Sequence, residues 1–192
     1  MIFNLTKEDL TEVVNIHKNN LPSLINFYTN DFIEKFYLHH LRKEDDTVLV
    51  GYKEDGELYG FVFGTLDVED MFGSFTSQNK TYFIKQTLLA LIKHPKYLLY
   101  IFQSFFAKGF QQGDSKTQLV YIAVDQKRKG LGIGKKLLEG FEQELKKTKD
   151  YYELEVEQNN SALQFYASKN FKIIREINNI LEKKYLMGKK LK

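Results

Sequence analysis

Residues 127–138 read KRKGLGIGKKLL, with glycine at 130, 132 and 134 inside a basic stretch that runs straight into a helical pattern. Glycine accepts positive φ and lets a ligand lie against bare backbone, at the expense of regular structure. Such a loop can turn its N–H groups toward an anion, at the start of a helix whose dipole favours negative charge. The chemistry it suggests is phosphate binding. Two common phosphate loops do not fit. A Walker loop needs Ser or Thr after its Gly-Lys, but Lys136 follows Gly134-Lys135, and the required first glycine would fall on Lys129. A dinucleotide fingerprint starting at Gly130-x-Gly132 would need glycine where Lys135 stands, and no acidic ribose binder sits at a clear strand end downstream.

A third motif fits well. Residues 124–138 resemble the acetyl-CoA-binding motif of the GNAT superfamily of N-acetyltransferases, whose core is Arg/Gln-x-x-Gly-x-Gly/Ala. Lys129 takes the basic position, followed by Gly130, Leu131, Gly132, Ile133 and Gly134. Lysine keeps the charge of arginine and loses its planar fork. Downstream, LEVEQNNSALQFYASKNF puts Asn159, Ala162, Tyr166 and Phe171 in register with the family's Asn-x-x-Ala, its tyrosine and its Gly-Phe. Asn170 replaces the glycine at a position that calls for a left-handed C-cap, which asparagine tolerates. The likeness covers residues 118–188 well and the N-terminal half only in its order of elements.

The resemblance implies an α/β fold, a mixed and mostly antiparallel sheet flanked by helices. Two central parallel strands, here QLVYIAV and YELEV, would splay apart to hold acetyl-CoA. Backbone groups at Ile122, Ala123 and Val124 would hold the pantetheine and face the acetyl carbonyl, stabilising the developing oxyanion. The N–H groups of residues 129–134, with Lys135, would hold the pyrophosphate, and Asn159 and Phe165 would complete the cofactor site. Asn159 equally suits an N-cap for the next helix. Tyr166 matches the family's acid for the departing thiolate, since a phenol of pKa ~10 is protonated at neutral pH. The alternative is a packed place beside Phe165 on the inner face of its helix. For the base that takes the amine proton, Glu153 and Glu155 alternate on one strand and are candidates, directly or through water, and Asp67 is another. Each carboxylate singly also suits a solvated or sheet-paired role.

These groups need a scaffold. A chain of 192 residues, 43% apolar and 28% charged, suits a single domain with a substantial core. The absence of cysteine excludes a disulfide framework, a thiolate metal site and a cysteine nucleophile, so direct transfer is the simpler chemistry. The four histidines lack metal spacing, and no metal is expected. A formal charge of +3 agrees with a small anionic ligand and is too weak to argue for nucleic acid. The N-terminus lacks signal-peptide regions, and the longest apolar stretch is broken by Lys93, His94, Pro95 and Lys96, so no membrane span and a cytoplasmic location are expected.

Along the chain, a short strand in MIFNL precedes a helix capped by Thr6, with Leu10, Val13, Val14 and His17 at helical spacing. A second helical region covers residues 21–41. Two β-rich runs flank Glu54-Asp55-Gly56, a hairpin signal. QLVYIAV reads as a strand covered on both faces. Leu137, Leu138, Phe141 and Leu145 line one face of a helix on which Glu142 and Lys146 are spaced to pair. A strand, a helix and two closing strands end the chain. Residues 67–116 interrupt this order with an aromatic-rich insert containing helices over about 80–93 and 96–108, split at His94-Pro95. It could be packed core, a substrate lid or the face of a homodimer.

The resulting expectation is an acetyl-CoA-dependent N-acyltransferase acting on a primary amine of a small molecule or amino sugar. Two alternatives stay open. One is a protein N-terminal or lysine acetyltransferase, and the other a non-catalytic acyl-CoA-binding module.

Overall fold

Alternating apolar residues in TVLVGYKE and ELYGFVFGT make two strands, and between them Asp55 and Gly56 supply left-handed φ values of 53° and 82°. That pair is what a two-residue hairpin needs to follow the twist of its strands. The computed structural model describes residues 1–43, 45–100, 115–178 and 181–191. Among them, β1 (Ile2–Asn4), β2 (Thr47–Glu54), β3 (Glu57–Thr65), β4 (Gln118–Val124), β5 (Tyr151–Glu157), β6 (Lys172–Asn178) and β7 (Lys183–Lys190) form one sheet in the order β1-β2-β3-β4-β5-β7-β6. Every neighbouring pair is antiparallel except β4 with β5.

Among the described residues the α-helices with both ends described are α1 (Leu10–Asn20), α2 (Asn30–Leu41), α3 (Val68–Gln78), α4 (Lys80–Lys93), α5 (Ile133–Leu145) and α6 (Ala162–Ser168), and residues 97–100 are also helical. The first four pack on one face of the sheet over a core that includes Phe32, Phe36, Phe61 and Phe63. The last two pack on the other, over Leu137, Leu138, Phe141, Tyr152 and Leu154. Among the described residues no helix is long and apolar enough to cross a membrane.

Helix α5 buries Leu137, Leu138, Phe141 and Leu145 as their spacing requires. It sits close to the sheet because β3 has no side chain at Gly64. A Cβ there would lie 2.4 Å from Phe141 Cε2. Glu142 does not pair with Lys146. Its carboxylate accepts from the Tyr152 hydroxyl at 2.7 Å and from Lys189 on β7, so a tertiary contact displaces the local one.

The insert is the connection between β3 and β4, and its two ends meet. Val68 donates its N–H to Lys116 O at 2.9 Å, and the Lys116 ammonium lies 2.8 Å from Glu69. A long connection costs little once its neck is closed, because loop entropy grows only slowly with length. Helix α4 falls where the sequence places it and stops before Pro95. Helix α3 is not anticipated by the sequence pattern. Asp67 caps it, its Oδ1 accepting from the N–H groups of Glu69 and Asp70, which commits this candidate base to a structural role. The expected helix over 96–108 lies largely outside the described residues, as do Phe102, Phe105, Phe106 and Phe110.

Two of the histidines belong to the core. His17 Nδ1 lies 2.7 Å from the Tyr37 hydroxyl, and burial pushes the pKa of both His17 and His40 down to about 3. An unfolded histidine titrates near about 6.5. Below that pH the unfolded chain binds more protons than the folded one, so stability falls as pH drops from about 6.5 toward 3. Each ring removes on the order of 3 kcal/mol by pH 4. In melting curves at pH 7 and pH 4, His40→Leu should visibly shrink the acid loss. An unchanged acid loss would mean that His40 is not held neutral in the fold.

Candidate active site

Among the described residues the parallel strands β4 and β5 are paired in the ladder at only one place. Gln118 pairs with Glu153, and Glu153 donates its N–H to Thr117 O at 3.0 Å. Beyond that bridge no further pair joins them among the described residues, so the strands open toward their C-terminal ends, Val124 and Glu157. The gap explains why QLVYIAV is less covered than its composition suggests. Only Leu119 and Ala123 are buried, and the other five residues of the strand are half-buried.

Register decides which backbone groups face the gap. Ala123 pairs with Phe61 of β3, and Asp125 donates its N–H to Tyr59 O at 2.9 Å. Alternation along the strand therefore turns the N–H and C=O groups of Ile122 and Val124 away from β3, toward β5. Ala123 keeps its own backbone groups in the ladder. Below this point β4 carries an extra residue, since Tyr121 faces Phe63 and Leu119 faces Gly64, leaving Val120 without a partner on β3. Bulges of this kind twist a strand and re-aim the residues beyond them.

The glycine loop stands at the open end of the gap. A single 3₁₀ turn, Gln126–Arg128, is started by Asp125, whose carboxylate accepts from Lys127 N–H. Arg128 is held by Glu57 at 3.2 Å and lies over the Tyr59 ring at 4.3 Å, which ties the loop to β3. Gly130 and Gly132 then take φ values of 83° and 72°, and Gly132 is the N-cap of α5. None of the N–H groups of residues 130–135 meets an acceptor among the described residues. A Cβ added at either glycine would meet open space, so the demand for glycine here is conformational, with room left over the backbone. Lys129, Leu131 and Lys135 are exposed around it.

Three elements converge at Gly134. A Cβ on it would lie 4.0 Å from both Phe165 of α6 and Val124 of β4. Tyr166, next to that phenylalanine, is 7% exposed and packs edge-on against Phe165 and Phe171. Burial pushes its hydroxyl up to about 12, and the hydroxyl makes no hydrogen bond to another described residue. Asn170 closes α6 in the left-handed conformation expected of it, at φ 67°. The capping role considered for Asn159 falls instead to Asn160, whose side chain accepts from Ala162 N–H at 2.9 Å. Asn159 is left exposed in the turn after β5.

The two strand carboxylates differ. Tyr152, Leu154 and Val156 belong to the core on the α5 side, so Glu153 and Glu155 point to the opposite face. Glu153 is 0% exposed and accepts from the Tyr151 hydroxyl at 3.0 Å. Glu155 is exposed, with Lys184 at 3.5 Å. Tyr166 belongs to the α5-side core. The candidate acid and candidate bases thus approach from opposite faces of the sheet.

The family model for acetyltransferases of the GNAT family matches residues 10–171. None of the curated proteins matches the chain significantly in sequence. Solved structures match it in fold. The PaiA N-acetyltransferase of Thermoplasma acidophilum in complex with coenzyme A is 18% identical, at a TM-score of 0.60 over 99% of this chain and 98% of that one. An N-acetyltransferase from Staphylococcus aureus Mu50 is 17% identical at TM-score 0.64, covering 100% of this chain and 98% of its own. A ribosomal-protein-alanine N-acetyltransferase from Brucella melitensis is 13% identical at 0.64, over 100% and 99%.

Proposed function

The chain belongs to the GNAT family of acetyltransferases, and from that premise we propose that it transfers acetyl from acetyl-CoA directly to a primary amine of a small molecule or amino sugar. The observation that supports this most is the single-bridge gap between β4 and β5, opening beside a loop of unclaimed N–H groups. The residues fit the cosubstrate: the loop offers room and donors for a pyrophosphate, and Ile122 and Val124 offer backbone groups along an extended arm. When bound, acetyl-CoA supplies an activated acetyl group and a thiolate that can leave.

This chain's residues would divide the remaining work. The N–H groups of residues 130–134 and the Lys135 ammonium hold phosphate, the Lys129 N–H being bonded to Gln126 O, with Gly134, Val124 and Phe165 walling the mouth of the gap. Ile122 and Val124 align the arm, and a backbone donor there polarises the carbonyl, a contribution often worth several kcal/mol. Ala123 keeps β4 attached to β3, and Asn159 reaches the arm from the turn after β5. Tyr166 holds a proton for the thiolate from the α5 side. From the other side the base takes the amine proton, Glu155 directly or through water and Glu153 from its buried position at the bridge.

The small-molecule reading is supported by the insert. Phe27 in the α1–α2 connection packs on His94, Tyr97 and Tyr100, and the Tyr28 hydroxyl lies 2.8 Å from that of Tyr97. These contacts build a wall over the α1–α2 side of the sheet. Free-thiol release from acetyl-CoA should be measured against amino sugars, polyamines, amino acids and short peptides. Release above background with a small amine is expected. Release with peptides only would assign a protein acceptor, and none at all with CoA binding intact would leave a non-catalytic module.

A further inference from the structure

A cavity of about 270 Å³ lies between the α1–α2 connection and α4, and it shares no residue with the β4–β5 gap or the glycine loop. Phe27, Tyr28, Leu89 and Ala90 make its apolar wall. Among the described residues its charged groups are all of one sign: Lys18 and Lys93 both line it, and no described carboxylate does.

The Lys18 ammonium is fixed in place, donating to Tyr28 O at 2.7 Å and Asn26 O at 3.5 Å. Carbonyls hold a cation without neutralising it. Burial and the charge of Lys93 lower the Lys18 pKa, as expected for two cations that share a space without a counter-ion. Gln86 adds a neutral donor. It is 8% exposed, its Oε1 accepts from the Thr29 hydroxyl at 3.1 Å, and its amide nitrogen meets no acceptor among the described residues.

We propose that this cavity binds a small organic anion, its carboxylate or phosphate held by Lys18, Lys93 and the Gln86 amide, its apolar body against Phe27 and Leu89. Two ammoniums and an amide donor converge there, and charge-assisted bonds to an anion would satisfy all three. The anion could be part of the amine acceptor or a separate ligand, and the chemistry of recognition is the same.

The test uses phenylacetate and phenyl phosphate as probes, with neutral phenylacetamide as control, titrated calorimetrically into the whole protein without acetyl-CoA. At least one acid should bind saturably and more tightly than the amide. Lys93 is exposed at the end of α4, so Lys93→Gln should fold normally, keep its CoA affinity and lose about tenfold or more in affinity for the acid. Gln86→Leu should weaken binding less. A non-saturating response, equal binding of the amide, or wild-type affinity in Lys93→Gln would overturn the proposal. These readouts need no turnover, so failure here is distinct from failure of the acetyl-transfer reading. Where turnover is seen, competition between probe and amine assigns the anion to the acceptor. A change in kcat without competition assigns it to a separate ligand.

Discussion

Replacing Gly132 by valine is expected to abolish CoA binding while leaving the protein folded. Gly132 is the left-handed N-cap of α5, at φ 72°, and a β-branched residue there is strained. The loop would relax by swinging its N–H groups out of line, and the new side chain would fill the space above the backbone. Charge-assisted hydrogen bonds are individually worth about 1.5–3 kcal/mol, so losing two or three should weaken binding on the order of 10²-fold or more. Strain alone is controlled by Gly56→Val. Gly56 has φ 82° and equally open space, but it sits in the β2–β3 hairpin. That variant should melt lower and bind CoA normally. If calorimetry gave Gly132→Val the wild-type affinity, the phosphate cradle would be elsewhere.

The second large effect belongs to Tyr166→Phe. The exchange keeps a ring between Phe165 and Phe171 and removes only the hydroxyl, so it separates chemistry from packing. General acid assistance is typically worth ~10²–10⁴-fold, and kcat should fall by about that much while CoA affinity and melting temperature barely move. Burial sharpens the expectation. With its pKa raised to about 12, the hydroxyl stays protonated through pH 10, so the loss should be the same at every pH from 6 to 10. A wild-type kcat where chemistry limits the rate would make Tyr166 a packing residue and water the proton source.

Both variants rest on residues that local rules make readable. Alternate glycines before an apolar i, i+4 stripe announce a loop and the helix it opens. Asn170 announces its own left-handed φ because few other residues accept it. What the sequence conceals is decided by distant parts of the chain. Asn159 and Asn160 are adjacent and chemically identical, and only the path of the turn chooses Asn160 as the cap. Glu142 has a partner one turn away, yet β7 brings Lys189 closer to it. Helix α3 is hidden because Gly73, Ser74, Thr76 and Ser77 are poor helix formers. Asp67 at its start and the buried Met71 and Phe75 outweigh them. The one-residue bulge at Val120 leaves no mark on an apolar strand.

The gap has a further consequence for the sheet itself. By position β4 is the fourth of seven strands, but over its last residues it is bonded on one side only, so it is an edge strand in the interior. Exposed edges are a hazard, because their free N–H and C=O groups recruit strands from other chains and lead to aggregation. Here the hazard is contained. One lip of the opening is β4 and the other is β5, pinned together at Gln118–Glu153 and walled at the mouth by Phe165. A foreign sheet cannot dock against β4 without displacing β5, whereas a single slender chain can slide in end-on. The fold thus keeps a template for pairing and restricts by width what can use it.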